Sequence, residues 1–61
     1  LKERLRRAIA TLPPRDAELF SLRYLEGLSN GDLAELFQIE KTTVAVRLHR
    51  IRQTLQQEME R

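Results

Sequence analysis

The chain has 61 residues and a formal net charge of +2, which suits one small domain with a thin core, since a chain of this size buries only about 60% of its unfolded surface. It contains no cysteine, which excludes disulfides, thiolate metal sites and a cysteine nucleophile. No apolar run approaches the roughly 20 residues that a membrane-spanning helix needs.

The charges are distributed unevenly along the sequence. The first ten residues carry +3, residues 13–40 carry −4, and residues 41–52 carry +4 with no acid among them. A concentrated basic segment in a nearly neutral domain indicates a site for a polyanion. The alternative is that these cations form an ordinary solvated helix face.

The first predicted helix ends near Thr11, where Pro13 and Pro14 follow, because proline has no amide hydrogen to donate. Its apolar positions at helical spacing are Leu1, Leu5, Ile9 and Leu12. Because the sequence opens on leucine and not on methionine, we expect the domain, residues 1–61, to be a fragment of a longer chain. No stretch alternates with a period of two, so no strand is predicted.

The second predicted helix opens on Pro14 and runs to about Glu26, with Gly27 at the left-handed C′ position. We expect its buried side to consist of Leu19, Leu22 and Leu25 with flanking Phe20. Tyr24 and Phe20 are interpreted as core or near-core residues. They are not expected to be stacking groups.

A third, short helix is predicted over residues 29–37, with Ser29 as its N-cap and Asp32 completing a pattern like a capping box. Its expected inner face is Leu33, Ala34, Leu36 and Phe37. Residues 38–40 form a tight connector to a fourth, long helix over residues 41–58. At about 100° per residue, one arc of that helix forms a core seam of Val44, Leu48, Ile51, Leu55 and Met59.

The opposite arc of the fourth helix is polar apart from one valine. It contains Thr42, Val46, His49, Arg50, Gln53 and Gln57, with Thr43 and Arg47 on one flank. A short capped helix, a tight turn and a longer helix with a polar outer face form the helix-turn-helix pattern, whose second helix lies in the major groove of DNA. The predicted fold class is therefore all-α, a four-helix domain with a C-terminal helix-turn-helix.

The residue types on this outer arc suit both bases and phosphates. Arg50 matches the bidentate bonding of guanine, Gln53 that of adenine, and Val46 the methyl group of thymine. Hydroxyl and cationic groups at Thr42, Thr43, Lys41 and Arg47 suit phosphate. The alternative is a plain four-helix bundle whose fourth helix faces solvent.

Catalysis and metal binding are not indicated. His49 is the only histidine and no cysteine accompanies it, so a metal site lacks ligands. Its side chain is either a polar contact in the groove or an exposed neutral group. No nucleophile, base and oxyanion donor occur together; we therefore expect no enzymatic activity, no cofactor and no small-molecule substrate.

Two long stretches of the sequence resemble a known protein family. Residues 12–37, LPPRDAELFSLRYLEGLSNGDLAELF, and residues 42–55, TTVAVRLHRIRQTL, resemble region 4 of sigma factors, especially the extracytoplasmic-function group. The similarity extends from about Arg6 to Leu55. It implies a cytoplasmic domain, related to winged-helix domains but without the wing, that recognises the −35 promoter element. The implied partners are double-stranded promoter DNA, the flap of RNA polymerase and an anti-sigma factor, with no membrane.

The resemblance also implies roles for particular positions. Arg23, Asn30 and Gly31 would approach the phosphate backbone. Phosphate would also be bound at the N-terminus of the recognition helix by Lys41, Thr42 and Thr43. The positions that would enter the major groove are Ala45, Val46, Arg47, His49 and Arg50.

The chain departs from the family pattern at several of these positions. The family often has glycine at position 38, tyrosine at 30 and an acid at 31, where this chain has Gln38, Asn30 and Gly31. It commonly has a basic residue at Ala45 and a small hydroxyl residue at Val46. These differences leave the preferred DNA sequence open.

Two alternatives share the same pattern. A sigma-like domain can serve mainly as an interaction module that grips a regulatory protein, using an apolar groove beside Leu1, Leu5 and Ile9. LuxR-type output domains share the runs GLSN, EKT and TV, but their second helix is one residue shorter than Arg15 to Gly27.

Overall fold

Four α-helices and no strand make up the part of the chain that the computed structural model describes, which is residues 2–60 without the side chain of Lys2. They are α1 (Lys2–Ala10), α2 (Pro14–Tyr24), α3 (Asn30–Phe37) and α4 (Lys41–Met59). The predicted all-α fold class is confirmed. The apolar position predicted at Leu1 lies outside the described residues, as does the cation of Lys2.

The end of α2 differs from the prediction. The helix stops at Tyr24, two residues before Glu26, and Gly27 lies beyond the cap with φ +80°. The carbonyl of Ser21 accepts hydrogen bonds from the amides of both Leu25 and Glu26, at 2.8 and 3.1 Å. Because the Ser21 carbonyl in the last turn accepts from two amides beyond the helix, the regular hydrogen-bond pattern of α2 ends before Gly27.

Caps define both ends of α3. Ser29 Oγ accepts from the Asp32 amide at 3.1 Å, while an Asp32 carboxylate oxygen accepts from the Ser29 amide at 3.2 Å. At the other end Gln38 adopts φ +55° and ψ +48°, and the Ile39 amide donates to the Ala34 carbonyl at 3.0 Å. This left-handed residue reverses the chain direction and starts α4 three residues later.

The core lies around α4, which packs against each of the other three helices. The buried residues are Ala8, Leu12, Leu19, Phe20, Leu33, Val44, Leu48, Ile51 and Leu55. No polar side chain among the described residues is buried. The four buried residues of α4 fix its rotation about its own axis, and this rotation determines which side chains face solvent.

Three predicted core residues are exposed. Leu25 retains 63% of its accessible surface, and Tyr24 retains 42% although its ring lies 4.8 Å from that of Phe20. The third exposed residue of this kind is Leu36 on α3, at 59%. Residues spaced by three drift about 60° around a helix at each step, so Leu36 lies at the edge of the apolar face of α3. Leu25 is the C-cap residue, just past the end of α2.

Candidate nucleic-acid interface

The outer face of α4 is defined here as Thr42, Val46, His49, Arg50 and Gln53, all of which are exposed. It lies opposite the buried seam, as the helical spacing predicts. Val46 keeps 51% of its surface accessible at the middle of this polar face. Thr43 and Arg47 lie half-buried beside it. The face therefore presents hydroxyl, imidazole, guanidinium and carboxamide groups around one branched apolar side chain.

Three cations in the first half of α4 have no partner among the described residues. No hydrogen bond or ion pair within residues 2–60 engages Lys41, Arg47 or Arg50. Glu40, the N-cap of α4, makes no side-chain bond to the helix amides. Because the charges are not neutralised by nearby carboxylates, their field extends into solvent from the first half of α4.

Arg52 belongs to the same basic segment but lies elsewhere on the surface. It borders an apolar groove of about 390 Å³. The other residues of this groove are Leu5, Phe20, Tyr24, Leu55, Gln56, Met59 and Glu60. Two steps along a helix rotate a side chain by about 200°, so Arg52 faces away from the direction of Arg50.

A second group of predicted site residues meets where α3 begins. Arg23, in the last turn of α2, donates its Nε–H to the side-chain oxygen of Asn30 at 3.0 Å. The guanidinium also lies over the ring of Tyr24, 5.2 Å from its centroid. Gly31 follows in the first turn of α3, where an added Cβ would meet only Ser29 Oγ at an ordinary 3.7 Å.

The predicted site residues therefore lie in two groups. One is on α4, and the other is where the end of α2 meets the start of α3. It also shows contacts that sequence reasoning missed. Arg4 of α1 donates a hydrogen bond to the carbonyl of Met59 at the end of α4, and Arg15 lies over the ring of Phe37 at 5.6 Å. The pairing of Arg4 crosses 55 positions, so no local signal could have indicated it.

Comparison with protein families matches residues 2–55 to the family described as Sigma-70, region 4. The chain belongs to this family. Neither the curated proteins nor the solved structures contain a match. The LuxR-type alternative is therefore set aside in favour of the sigma family.

As a sigma-70 region 4 domain, the chain is a DNA-binding helix-turn-helix domain of the kind found in sigma factors. The helix-turn-helix consists of α3, the connector 38–40 and α4. The family is a regulatory, DNA-binding one. It implies promoter DNA and RNA polymerase as partners. None of the described helices combines the length and the apolar character that crossing a membrane would require.

Proposed function

We propose that this region 4 domain reads the −35 promoter element with the outer face of α4 and docks on RNA polymerase to direct transcription initiation. The observation that carries the proposal is the exposed outer face of α4, with the cations Lys41, Arg47 and Arg50 on or beside it, none of which has a partner within residues 2–60. In a helix-turn-helix, the second helix enters the major groove while the first crosses the backbone. The function is binding, with no catalytic step.

The proposed contacts divide into phosphate and base contacts. Lys41, Thr43 and Arg47, near the start and on the flank of α4, bind phosphate oxygens and fix the register on the duplex. Thr42, Val46, His49, Arg50 and Gln53 face the base edges. Within that set Arg50 suits guanine, Gln53 suits adenine and Val46 suits the methyl group of thymine. Gly31, at the start of α3, lets the backbone approach a phosphate closely.

Docking on the polymerase is proposed to use the apolar groove between α1, α2 and the end of α4. Its floor consists of apolar side chains such as Leu5, Phe20 and Leu55. A groove of this kind accepts the apolar face of a partner helix, which in this proposal comes from the polymerase flap. The groove does not include the outer face of α4, so the domain can bind DNA and polymerase at the same time. The proposed location of this activity is the cytoplasm.

The same groove favours a second candidate function. An interaction module would use it mainly to hold an anti-sigma factor or another regulatory protein, with little affinity for DNA. The two functions differ in their salt dependence, because counterion release makes phosphate binding weaken steeply as salt rises. Binding of an apolar helix depends on salt far less.

The experiment that tests the proposal is selection of bound duplexes from a random DNA pool at low salt, followed by titration of the best duplex against salt. We expect an enriched motif and a slope of log affinity against log salt of about −3 or steeper, since each neutralised phosphate contributes about −0.9. Weak binding with no enriched motif would refute promoter reading. Tight binding of an amphipathic helix peptide in that case would support the interaction module.

A further inference from the structure

The side chain of Arg23 is held in one orientation by two neighbours. Its Nε–H donates to the Asn30 side-chain oxygen at 3.0 Å, and its guanidinium carbon lies over the Tyr24 ring, 5.2 Å from the centroid. Both Arg23 and Asn30 are half-buried. Arginine has a long side chain with many rotamers, so the hydrogen bond and the ring contact together remove much of that freedom before any ligand binds.

The hydrogen bond to Asn30 uses only one of the five guanidinium donors. The four N–H groups on the two Nη atoms have no hydrogen-bond partner within residues 2–60. Two parallel N–H groups at the end of a guanidinium match two oxygens of a phosphate. The bond to Asn30 therefore leaves free the edge of the side chain that suits bidentate phosphate binding.

The placement of this pair suits the DNA backbone. Arg23 lies in the last turn of α2 and Asn30 is the first residue of α3, so the bond spans the connection of residues 25–29 and ties the cation to the first helix of the helix-turn-helix. That helix crosses the backbone in DNA complexes of this motif. A cation held at its N-terminal end lies where phosphate contacts set the register of the recognition helix.

We propose that Asn30 is a positioning residue: its side-chain oxygen holds the guanidinium of Arg23 so that the two Nη groups bind one phosphate of the duplex. This inference rests on the proposed DNA-binding function and adds a division of roles to it. Arg23 makes the contact with DNA, and Asn30 acts through Arg23 without contributing a phosphate contact of its own.

The test on DNA is a double-mutant cycle with Arg23→Ala, Asn30→Ala and the double variant, each titrated against salt on the selected duplex. We expect Asn30→Ala to lower affinity roughly threefold to tenfold, as for one weakened charge-assisted contact. The same change made in the Arg23→Ala background should have no further effect. Arg23→Ala should make the salt slope shallower by about one unit. Equal losses from Asn30→Ala in both backgrounds would overturn the proposal.

A measurement on the free protein separates failure of this inference from failure of DNA binding. The Arg23 Nε–H resonance should exchange slowly with water in the unaltered chain and rapidly in Asn30→Ala, while Asn30→Asp, which keeps an acceptor oxygen, should retain slow exchange. An Nε–H signal that Asn30→Ala leaves unchanged would overturn the proposal whether or not DNA binds. Urea unfolding of each variant shows whether a loss of affinity comes from a loss of folded protein.

Discussion

Leu33 and Leu36 lie three residues apart on α3, but Leu33 is fully buried and Leu36 keeps 59% of its surface accessible. Leu33 packs in the same core as Val44 and Leu48 of α4. It therefore helps to hold the two helices of the helix-turn-helix together. Leu36 lies on the outer edge of α3, where most of its side chain already contacts solvent.

This difference gives the first prediction, which concerns stability. Leu33→Ala should lower the free energy of unfolding by about 2–5 kcal/mol through lost burial and a residual cavity. A domain of this size has only roughly 3–9 kcal/mol in total at the usual stability per residue, so the variant should lose a large fraction of its stability. Leu36→Ala, the matched control on the same helix, should change stability by less than about 0.5 kcal/mol. Urea unfolding measures both, and equal losses would contradict the packing of α3 described here.

The second prediction concerns the turn. Gln38 adopts φ +55°, a left-handed conformation that costs a non-glycine residue about 1–2 kcal/mol. Glycine avoids that cost but is disfavoured by about 0.4–1 kcal/mol through the greater freedom of the unfolded chain. Gln38→Gly should therefore stabilise the domain by about 0.5–1 kcal/mol, measured by urea unfolding.

Gly27 provides the reverse control for that experiment. Its φ is +80°, and an added Cβ would meet nothing within 4 Å, so only backbone strain acts there. Gly27→Ala should destabilise the domain by about 0.5–1 kcal/mol by the same balance of strain and unfolded-chain entropy. Stabilisation by Gly27→Ala, or destabilisation by Gln38→Gly, would show that the left-handed backbone at these positions is described wrongly.

The third prediction concerns base reading by Val46. On the selected duplex, replacing the relevant thymine by uracil removes only the base methyl group and should weaken binding about fourfold, the equivalent of roughly 0.8 kcal/mol for one buried methyl. Val46→Ser should abolish this difference between thymine and uracil. Arg47→Ala is the control: it should weaken binding to both duplexes equally and make the salt slope shallower by about one unit. If Val46→Ser weakens every duplex by the same factor, thymine reading is excluded.

The sequence was sufficient for the number of helices, the capping box at Ser29 and the rotation of α4, because each depends on local signals. Proline position, cap chemistry and a five-residue seam are all visible within a few turns of helix. The third helix begins at Asn30, one residue inside the predicted range, and the fourth ends at Met59, one residue beyond it. Such differences of one or two residues are normal at helix ends.

The errors have a common physical origin. Apolar character and a spacing of three predict Leu25 and Leu36 as core residues, but the core side of a short helix is set by the helices packed against it. The sequence could not show which edge of α2 or α3 those neighbours cover. The Arg23–Asn30 bond and the bond from Arg4 to the end of α4 join different helices, so they too depend on tertiary packing.

The fourth prediction addresses the central claim, that the outer face of α4 binds DNA. Arg50 and Arg52 lie in the same helix and have the same charge, but Arg50 belongs to the exposed outer face and Arg52 borders the apolar groove. Replacing either by alanine changes the net charge equally. Any difference between the variants therefore reports the position of the cation, since long-range attraction is altered to a similar extent in both.

The most direct measurement is the affinity of Arg50→Ala and Arg52→Ala for the selected duplex across a range of salt concentrations. The account predicts a loss of about 1–3 kcal/mol for Arg50→Ala with relaxed preference at one base pair, as for a bidentate contact to guanine. Arg52→Ala should keep nearly the affinity and the sequence preference of the unaltered chain. Equal weakening by both variants, with the sequence preference unchanged, would contradict recognition through this face of α4.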